Sequence, residues 1–270
     1  MAARAIILRL AVALGVALTF AATGPARADE EQSCPGLVAQ RSLPIVPAAL
    51  GRDEIGLTYV GHATFLIETA AGLTIATDYN DYVRASVTPV IVTMNRAHST
   101  HYSDNPEPGV KTILRGWDPA GGVPRHDLRT GDLRIRNVVT NIRQWGGETT
   151  IRDGNSIFVF EAADLCIAHL GHLHHTLTPE HLKQMGRIDV LLVPVDGSYT
   201  LDLDGMMEVI GSINPRIAIP MHYFGPATLN RFLARAEGQG FGIERRETPV
   251  LTLSRASLPG SPKVYVLPGR

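Results

Sequence analysis

The chain has 270 residues, 44% of them hydrophobic and 19% charged, with 25 Lys and Arg against 26 Asp and Glu for a formal net charge of −1. This composition suits a folded globular protein with a sizeable core and excludes a disordered or collagen-like chain. With no basic excess and only 6% aromatic residues, nucleic acid is not an expected partner.

Met1 to Ala28 reads as a secretory signal. Arg4 and Arg9 charge its start, Leu10 to Ala22 is mostly apolar, and Ala26-Arg27-Ala28 offers small residues at the −3 and −1 positions of a cleavage site. The apolar run stops at Thr23-Gly24-Pro25, short of the roughly 20 residues that a spanning helix needs. The expectation is a periplasmic or secreted protein cleaved after Ala28, with no stable membrane insertion afterwards. No lipobox precedes Cys34, so a lipid anchor is not expected. A Cys34–Cys166 disulfide is possible in an oxidising compartment. The apolar stretch Leu165-Cys166-Ile167-Ala168 reads instead as a buried strand holding a free thiol.

Residues 29–54, with Pro35, Pro44 and Pro47, read as an extension or linker. The main domain is expected over 55–270. Ile55–Val60, Thr64–Thr69 and Leu73–Thr77 are short apolar or β-branched runs that open as a β-meander. Val90–Thr93 is a further strand before the loop 95–105. Leu133–Val139, Ser156–Glu161 and Leu165–His169 follow, the last two joined by a tight turn at Ala163-Asp164. Thr178-Pro179-Glu180 opens a short helix through Met185 with Thr178 as its N-cap. Val190–Val195 is a strand, Leu203–Ile213 a helix, Arg216–Met221 a strand, and Ala227–Glu237 a helix ended by Gly238. Val250–Ser254 and Val264–Leu267 close the chain. Strands first and strand–helix alternation afterwards fit sheet layers covered by helices.

The chemistry lies in the histidines, of which there are 10. His98 and His101 follow one strand, His169 and His172 a second, and His222 a third. Strand ends in layered sheet proteins converge on one edge. Three imidazoles meeting there suit a divalent cation, most simply zinc, and zinc held by three neutral imidazoles brings the pKa of its water to about 7. His126, His174, His175 and His181 read as structural or surface residues.

Tyr59-Val60-Gly61-His62-Ala63-Thr64-Phe65-Leu66-Ile67-Glu68-Thr69, followed by Thr77-Asp78, resembles the opening of the metallo-β-lactamase fold superfamily. The branch it is most similar to contains ascorbate-6-phosphate lactonases and N-acyl-phosphatidylethanolamine phospholipase D. Pro220-Met221-His222-Tyr223 is similar to the late histidine-bearing strand end of that branch, and the likeness runs from about residue 55 to about 225. It implies an α/β fold, an αββα four-layer sandwich with a metal site along one edge.

The motif is altered. Where the superfamily has His-x-His-x-Asp-His, this chain has Arg96-Ala97-His98-Ser99-Thr100-His101, so Arg96 replaces the first His and Thr100 the Asp. Val139–Trp145 lacks a further expected histidine, and His172 stands where a bridging Asp belongs. An imidazole does not bridge two metals as a carboxylate does, so one metal per chain is expected, zinc or another divalent ion. His101, His172 and His222 are its expected ligands. His98 is either a fourth ligand or a proton carrier. Arg96 either grips an anionic substrate group or pairs with Asp104. By the resemblance, Asp78, His62 and His169 stand behind the ligands.

These readings imply a metal-dependent hydrolase acting through a metal-bound hydroxide on a small-molecule ester, lactone, amide or phosphodiester. The alternative is a non-catalytic metal- or ligand-binding protein that retains the fold.

Overall fold

The computed structural model describes residues 50–143 and 149–269. The signal segment, most of the extension and Trp145 lie outside the described residues. Strands β1 (Ile55–Gly61), β2 (Thr64–Thr69), β3 (Thr74–Ala76), β4 (Ile91–Met94) and β5 (Thr112–Arg115) join β13 (Val250–Leu253) in one sheet ordered β13-β1-β2-β3-β4-β5. The second sheet contains β6 (Asp127–Thr130), β7 (Leu133–Arg143), β8 (Thr150–Ala162), β9 (Leu165–His169), β10 (Val190–Pro194), β11 (Ile217–Met221), β12 (Gly242–Arg245) and β14 (Lys263–Val266). Its order is β12-β14-β11-β10-β9-β8-β7-β6.

The core follows from strand periodicity. Along β8 to β11, Phe158, Phe160, Ile167, Leu192 and Ile219 meet Leu57, Phe65 and Ile67 of the first sheet. The alternate residues Val159, Cys166, Ala168, Leu191 and Ala218 turn to the opposite face. There they pack on helices α1 (Pro179–Met185), α2 (Leu203–Ile213) and α3 (Pro226–Gly238) through Met185, Met206, Ile210, Phe232 and Leu233. Each such buried side chain contributes about 1.5–3 kcal/mol. The outer face of the first sheet is covered differently. Ala76, Val92 and Met94 pack under Tyr79, Tyr102, Val110 and Trp117, so loop residues replace a helical layer there among the described residues. The mixed two-sheet α/β architecture is the expected one.

Local chemistry explains the element ends. Thr178 caps α1, and His181 at its third position returns the bond to the Thr178 backbone, which completes a capping box and gives His181 the structural role expected of it. Asp202 caps α2 through the N–H groups of Asp204 and Gly205. The third helix runs one residue past its expected end. Gly238 lies inside it, Gln239 caps it, and Gly240 takes the left-handed conformation at φ +87°. Ala163 and Asp164 both have positive φ, +50° and +55°, as a two-residue hairpin turn between β8 and β9 requires.

One expectation is overturned. Cys166, fully buried in β9, is disulfide-bonded rather than a free thiol. The only other cysteine in the chain is Cys34, which lies outside the described residues. An apolar setting fits a half-cystine as well as a thiol, so burial did not discriminate between them.

Strands β9, β10, β11, β14 and β12 run parallel, as do β3, β4 and β5. Loops leaving the carboxyl ends of parallel strands form crevices where ligands bind.

Candidate metal centre

Every candidate side chain sits at a strand end. His62 occupies the turn between β1 and β2, Asp78 follows β3, and His98 and His101 follow β4. His169 closes β9 and His172 lies in the loop beyond it. Asp196 follows β10, and His222 follows β11. His62, Asp78 and His222 hold positive φ values of +51°, +40° and +55°. That is an unfavourable conformation for residues with side chains, and it clusters at functional sites. The strand ends are tied together by the backbone as well, since the His222 N–H donates to the His62 carbonyl at 2.8 Å.

Four imidazoles converge. Nε2 of His98 lies 3.1 Å from Nε2 of His172, and Nε2 of His101 lies 3.2 Å from Nε2 of His222. The ring centroids of His101 and His172 are 4.8 Å apart, and those of His172 and His222 are 4.9 Å apart. The opposite nitrogen of each ring is anchored. Nδ1 of His101 meets Asp78 Oδ2 at 2.5 Å and Nδ1 of His222 meets Asp196 Oδ1 at 3.1 Å. Nδ1 of His98 meets Thr100 Oγ1 at 2.8 Å and Nδ1 of His172 meets His174 Nε2 at 2.6 Å.

The carboxylates place the proton of His101 and of His222 on Nδ1, and the remaining contacts are compatible with the same tautomer in His98 and His172. If each of the four Nε2 atoms presents a lone pair, each Nδ1 carries the proton and donates outward. Thr100 then accepts from His98 and donates its own hydroxyl hydrogen to His62 Nε2, which is 3.0 Å away. His62 nitrogens also lie within 4.8 Å of those of His98, His101 and His222. Because the Thr100 hydroxyl occupies its Nε2, His172 completes the inward-facing set better than His62 does. His174 accepts from His172 and keeps its proton on Nδ1, which is buried without a partner.

The supporting carboxylates are themselves held. Asp78 is fully buried and its second oxygen accepts from Asn95 Nδ2 at 2.9 Å. Asp196 accepts the backbone N–H groups of Ser198, Tyr199 and Thr200 and the Thr200 hydroxyl. Burial pushes Asp78 up to about 6, against the opposing pull of His169 and the Asn95 hydrogen bond. Burial also acts to raise Asp196, but hydrogen bonds from His222 and Thr200 hold it well below the usual carboxylate range. Among the imidazoles, burial and the neighbouring rings push His62 down to about 3 and hold His101 and His172 well below their ordinary value. Burial lowers His98 as well. Neutral imidazole is the form that binds a metal ion.

The structure brings His98, His101, His172 and His222 together, with Asp78 behind His101. His169 is buried apart from the four. Its Nε2 donates to the Ala63 carbonyl at 2.8 Å and its Nδ1 accepts the Gly171 N–H at 3.1 Å, so it braces the loop that carries His172. Gly171 has φ +59°, and a Cβ there would stand 2.4 Å from Asn95 Nδ2 and 2.5 Å from Asn155 Oδ1. Asn155 Oδ1 accepts the His172 N–H at 2.8 Å. Arg96 is exposed, and the expected alternative, an ion pair with Asp104, is not formed among the described residues. That acid is exposed on the same loop, where water serves both charges.

Asp196 was not anticipated. Its signal was a carboxylate one residue beyond a predicted strand whose neighbours end in histidines. His174, expected to be structural or superficial, directly supports His172.

Residues 56–222 match the sequence model of a β-lactamase superfamily domain. The chain is 26% identical over 184 residues to a UPF0173 protein of Pyrococcus furiosus, covering 62% of this chain and 82% of the relative. It is 25% identical over 183 residues to a UPF0173 metal-dependent hydrolase of Nanoarchaeum equitans, covering 62% and 83%. A solved Thermotoga maritima structure, described as a zinc-dependent hydrolase of the metallo-β-lactamase superfamily, superposes with a TM-score of 0.60 at 31% identity, covering 80% of this chain and 100% of that one.

Proposed function

The chain belongs to the metallo-β-lactamase superfamily, and from that premise we propose that it is a metal-dependent hydrolase whose single cation is held by Nε2 of His98, His101, His172 and His222. The observation that carries this reading is the polarity of the four rings. Each Nδ1 is spent on a partner, and each Nε2 is aimed at another Nε2 at a spacing of 3.1 or 3.2 Å in the closest pairs. In the His101–His222 pair, where both Nδ1 protons go to carboxylates, two bare nitrogen lone pairs repel at that distance, whereas a cation about 2.0–2.1 Å from each nitrogen would reconcile them. The donor set is all imidazole, which suits zinc and other transition ions over magnesium or calcium.

A divalent ion at this place supplies a Lewis acid that polarises a carbonyl or phosphoryl oxygen and acidifies water toward neutral pH. The protein's own groups do the rest. Asp78 and Asp196 fix the orientation of His101 and His222 and raise their donor strength. Thr100 sets the tautomer of His98. His62 lies tilted against His222 with ring centroids 4.2 Å apart and, through the Thr100 hydroxyl on its Nε2, helps hold the His98 side of the cluster in place. Arg96, exposed and without an ion-pair partner among the described residues, is available to an anionic group of the substrate.

The substrate class reads as an ester, lactone, amide or phosphodiester. Within the superfamily, the lactone and phosphodiester options rest on the Tyr59–Thr69 and Pro220–Tyr223 motifs alone. Export rests on the Met1–Ala28 pattern. Thr100 and His172, standing where carboxylates are expected, are the observation that favours the second reading, a binding protein that has kept the fold. Elemental analysis with an ester, lactone and phosphodiester panel separates the two. One metal per chain with turnover, both lost in His222→Ala, is the expected result. Stoichiometric metal without turnover on any substrate favours the binding protein.

A further inference from the structure

We propose that the groove between β5 and the loop 117–126 that follows it is a second ligand site, separate from the histidine cluster, for a small anion carried on a flat ring, an aryl carboxylate. The groove has a volume of about 310 Å³, and Arg115, Trp117, Asp118, Val123, Arg125 and His126 are among the residues that line it. That volume lies at the small end of ligand sites. The charge of Arg115 carries the argument. The other arginines that the fold buries wholly or in part, Arg84, Arg134, Arg136 and Arg255, each meet a carboxylate within 2.9 Å. Arg115 is partly buried as well, yet it forms no ion pair among the described residues. A cation taken partly out of water without a counter-charge is unfavourable until an anion joins it.

Arg125 adds a second guanidinium, exposed and also without an ion pair among the described residues. Asp118 is the one acid in the lining, and its Oδ1 already accepts the Ala120 N–H at 2.8 Å, so the cations outnumber it. The planar fork of arginine matches a carboxylate. Trp117 and Val123, which is 50% exposed, offer apolar surface to a ring. The walls are held in place. His126 Nε2 donates to the Arg115 carbonyl at 2.7 Å, and Asn137 accepts the His126 N–H at 2.7 Å and donates to the Pro124 carbonyl at 3.1 Å. The Trp117 ring packs edge to face on Tyr102 with centroids 5.9 Å apart. A ligand therefore meets a preformed site and loses little freedom in ordering it. None of His98, His101, His172 and His222 lines the groove, so the site stands whether or not the cluster hydrolyses a substrate.

The test is calorimetric titration of the full protein with 2-naphthoate, and with 2-naphthamide as its uncharged counterpart. One 2-naphthoate should bind per chain, and 2-naphthamide should bind about tenfold more weakly. Arg115→Gln should weaken 2-naphthoate about tenfold and Arg125→Gln by a few-fold, with 2-naphthamide unaffected by either. Trp117→Leu should weaken both ligands. His222→Ala and Arg96→Gln should bind 2-naphthoate as the parent protein does, because neither residue lines the groove. No saturable binding of 2-naphthoate by the parent protein would overturn the site, as would parent-like affinity in both Arg115→Gln and Arg125→Gln. Loss of binding in His222→Ala or Arg96→Gln would overturn it too, since the anion would then sit at the histidine cluster.

Discussion

At the start of β9 the buried polar groups are charges met by opposite charges, whereas at its end they are imidazoles facing one another. Glu161, opposite Cys166 in the β8–β9 pairing, meets Arg136 at 2.6 Å, and Arg136 also donates to the carbonyls of Gln184 and Met185 at the end of α1. Arg134 joins Glu161 to Asp127. Each charge there has a counter-charge, and the helix terminus has its cap. At the other end Phe158 pairs with His169, and just beyond it the four Nε2 atoms have only each other. Both ends bury polar side chains, but only at the second do ring nitrogens face one another with no opposite charge between them. A buried polar cluster that satisfies itself holds a fold together, and one that does not is shaped for a ligand.

Substitutions at the two ends should therefore fail in different ways. The largest effect is expected from His222→Ala, which should reduce both bound metal and hydrolysis to background while circular dichroism and the urea transition of the metal-free protein stay close to the parent. Glu161→Gln should do the reverse. It leaves Arg136 buried without its counter-charge, so unfolding in urea should show a loss of about 3–5 kcal/mol with metal stoichiometry unchanged. Asp196→Asn sits between them. It keeps the shape but weakens the support of His222, and competition with a chelator should show metal affinity lower by about 10–100-fold.

The smallest effect is a slope. His62 and His174 are pushed by burial to about 3 and about 4 from the ordinary 6.5, so the unfolded chain binds more protons than the folded one across that window. Stability of the metal-free protein should fall as pH drops from 7 through 5 and below. Asp78, raised by burial to about 6 from 3.8, takes up its proton first in the folded state and partly offsets the loss between those two values. Bound metal should steepen the slope, because it keeps the ligand rings free of protons in the folded state while the same rings take up protons on unfolding. Urea midpoints measured from pH 7 to 4, with and without metal, check both signs.

Much of this was legible in the sequence because strong periodicity and strand-end histidines both leave local marks. The long buried strands and all three helices lie within a residue or two of their expected places, apart from β7 and β8, which extend further. The strands not foreseen, β5, β6 and β12, all stand at sheet edges. They are four residues long with no continuous buried face, and their pairing comes from the neighbouring backbone rather than their own pattern. At the site, the histidines announced themselves, but their supports did not. Asp196 is a single carboxylate after a strand, and nothing local distinguishes it from a turn cap until the fold brings His222, 26 residues away, to within 3.1 Å. Thr100 reads as a lost ligand in the motif, yet in space it links His98 to His62.

X-ray absorption spectroscopy on the purified, metal-analysed protein tests the single-cation centre most directly. A single-cation centre predicts one metal ion per chain with a shell of about four nitrogen or oxygen donors near 2.0–2.1 Å and the outer-shell scattering of several imidazoles. Two ions per chain with a metal–metal vector near 3.5 Å, or a protein that retains no metal after purification and reconstitution, would contradict it.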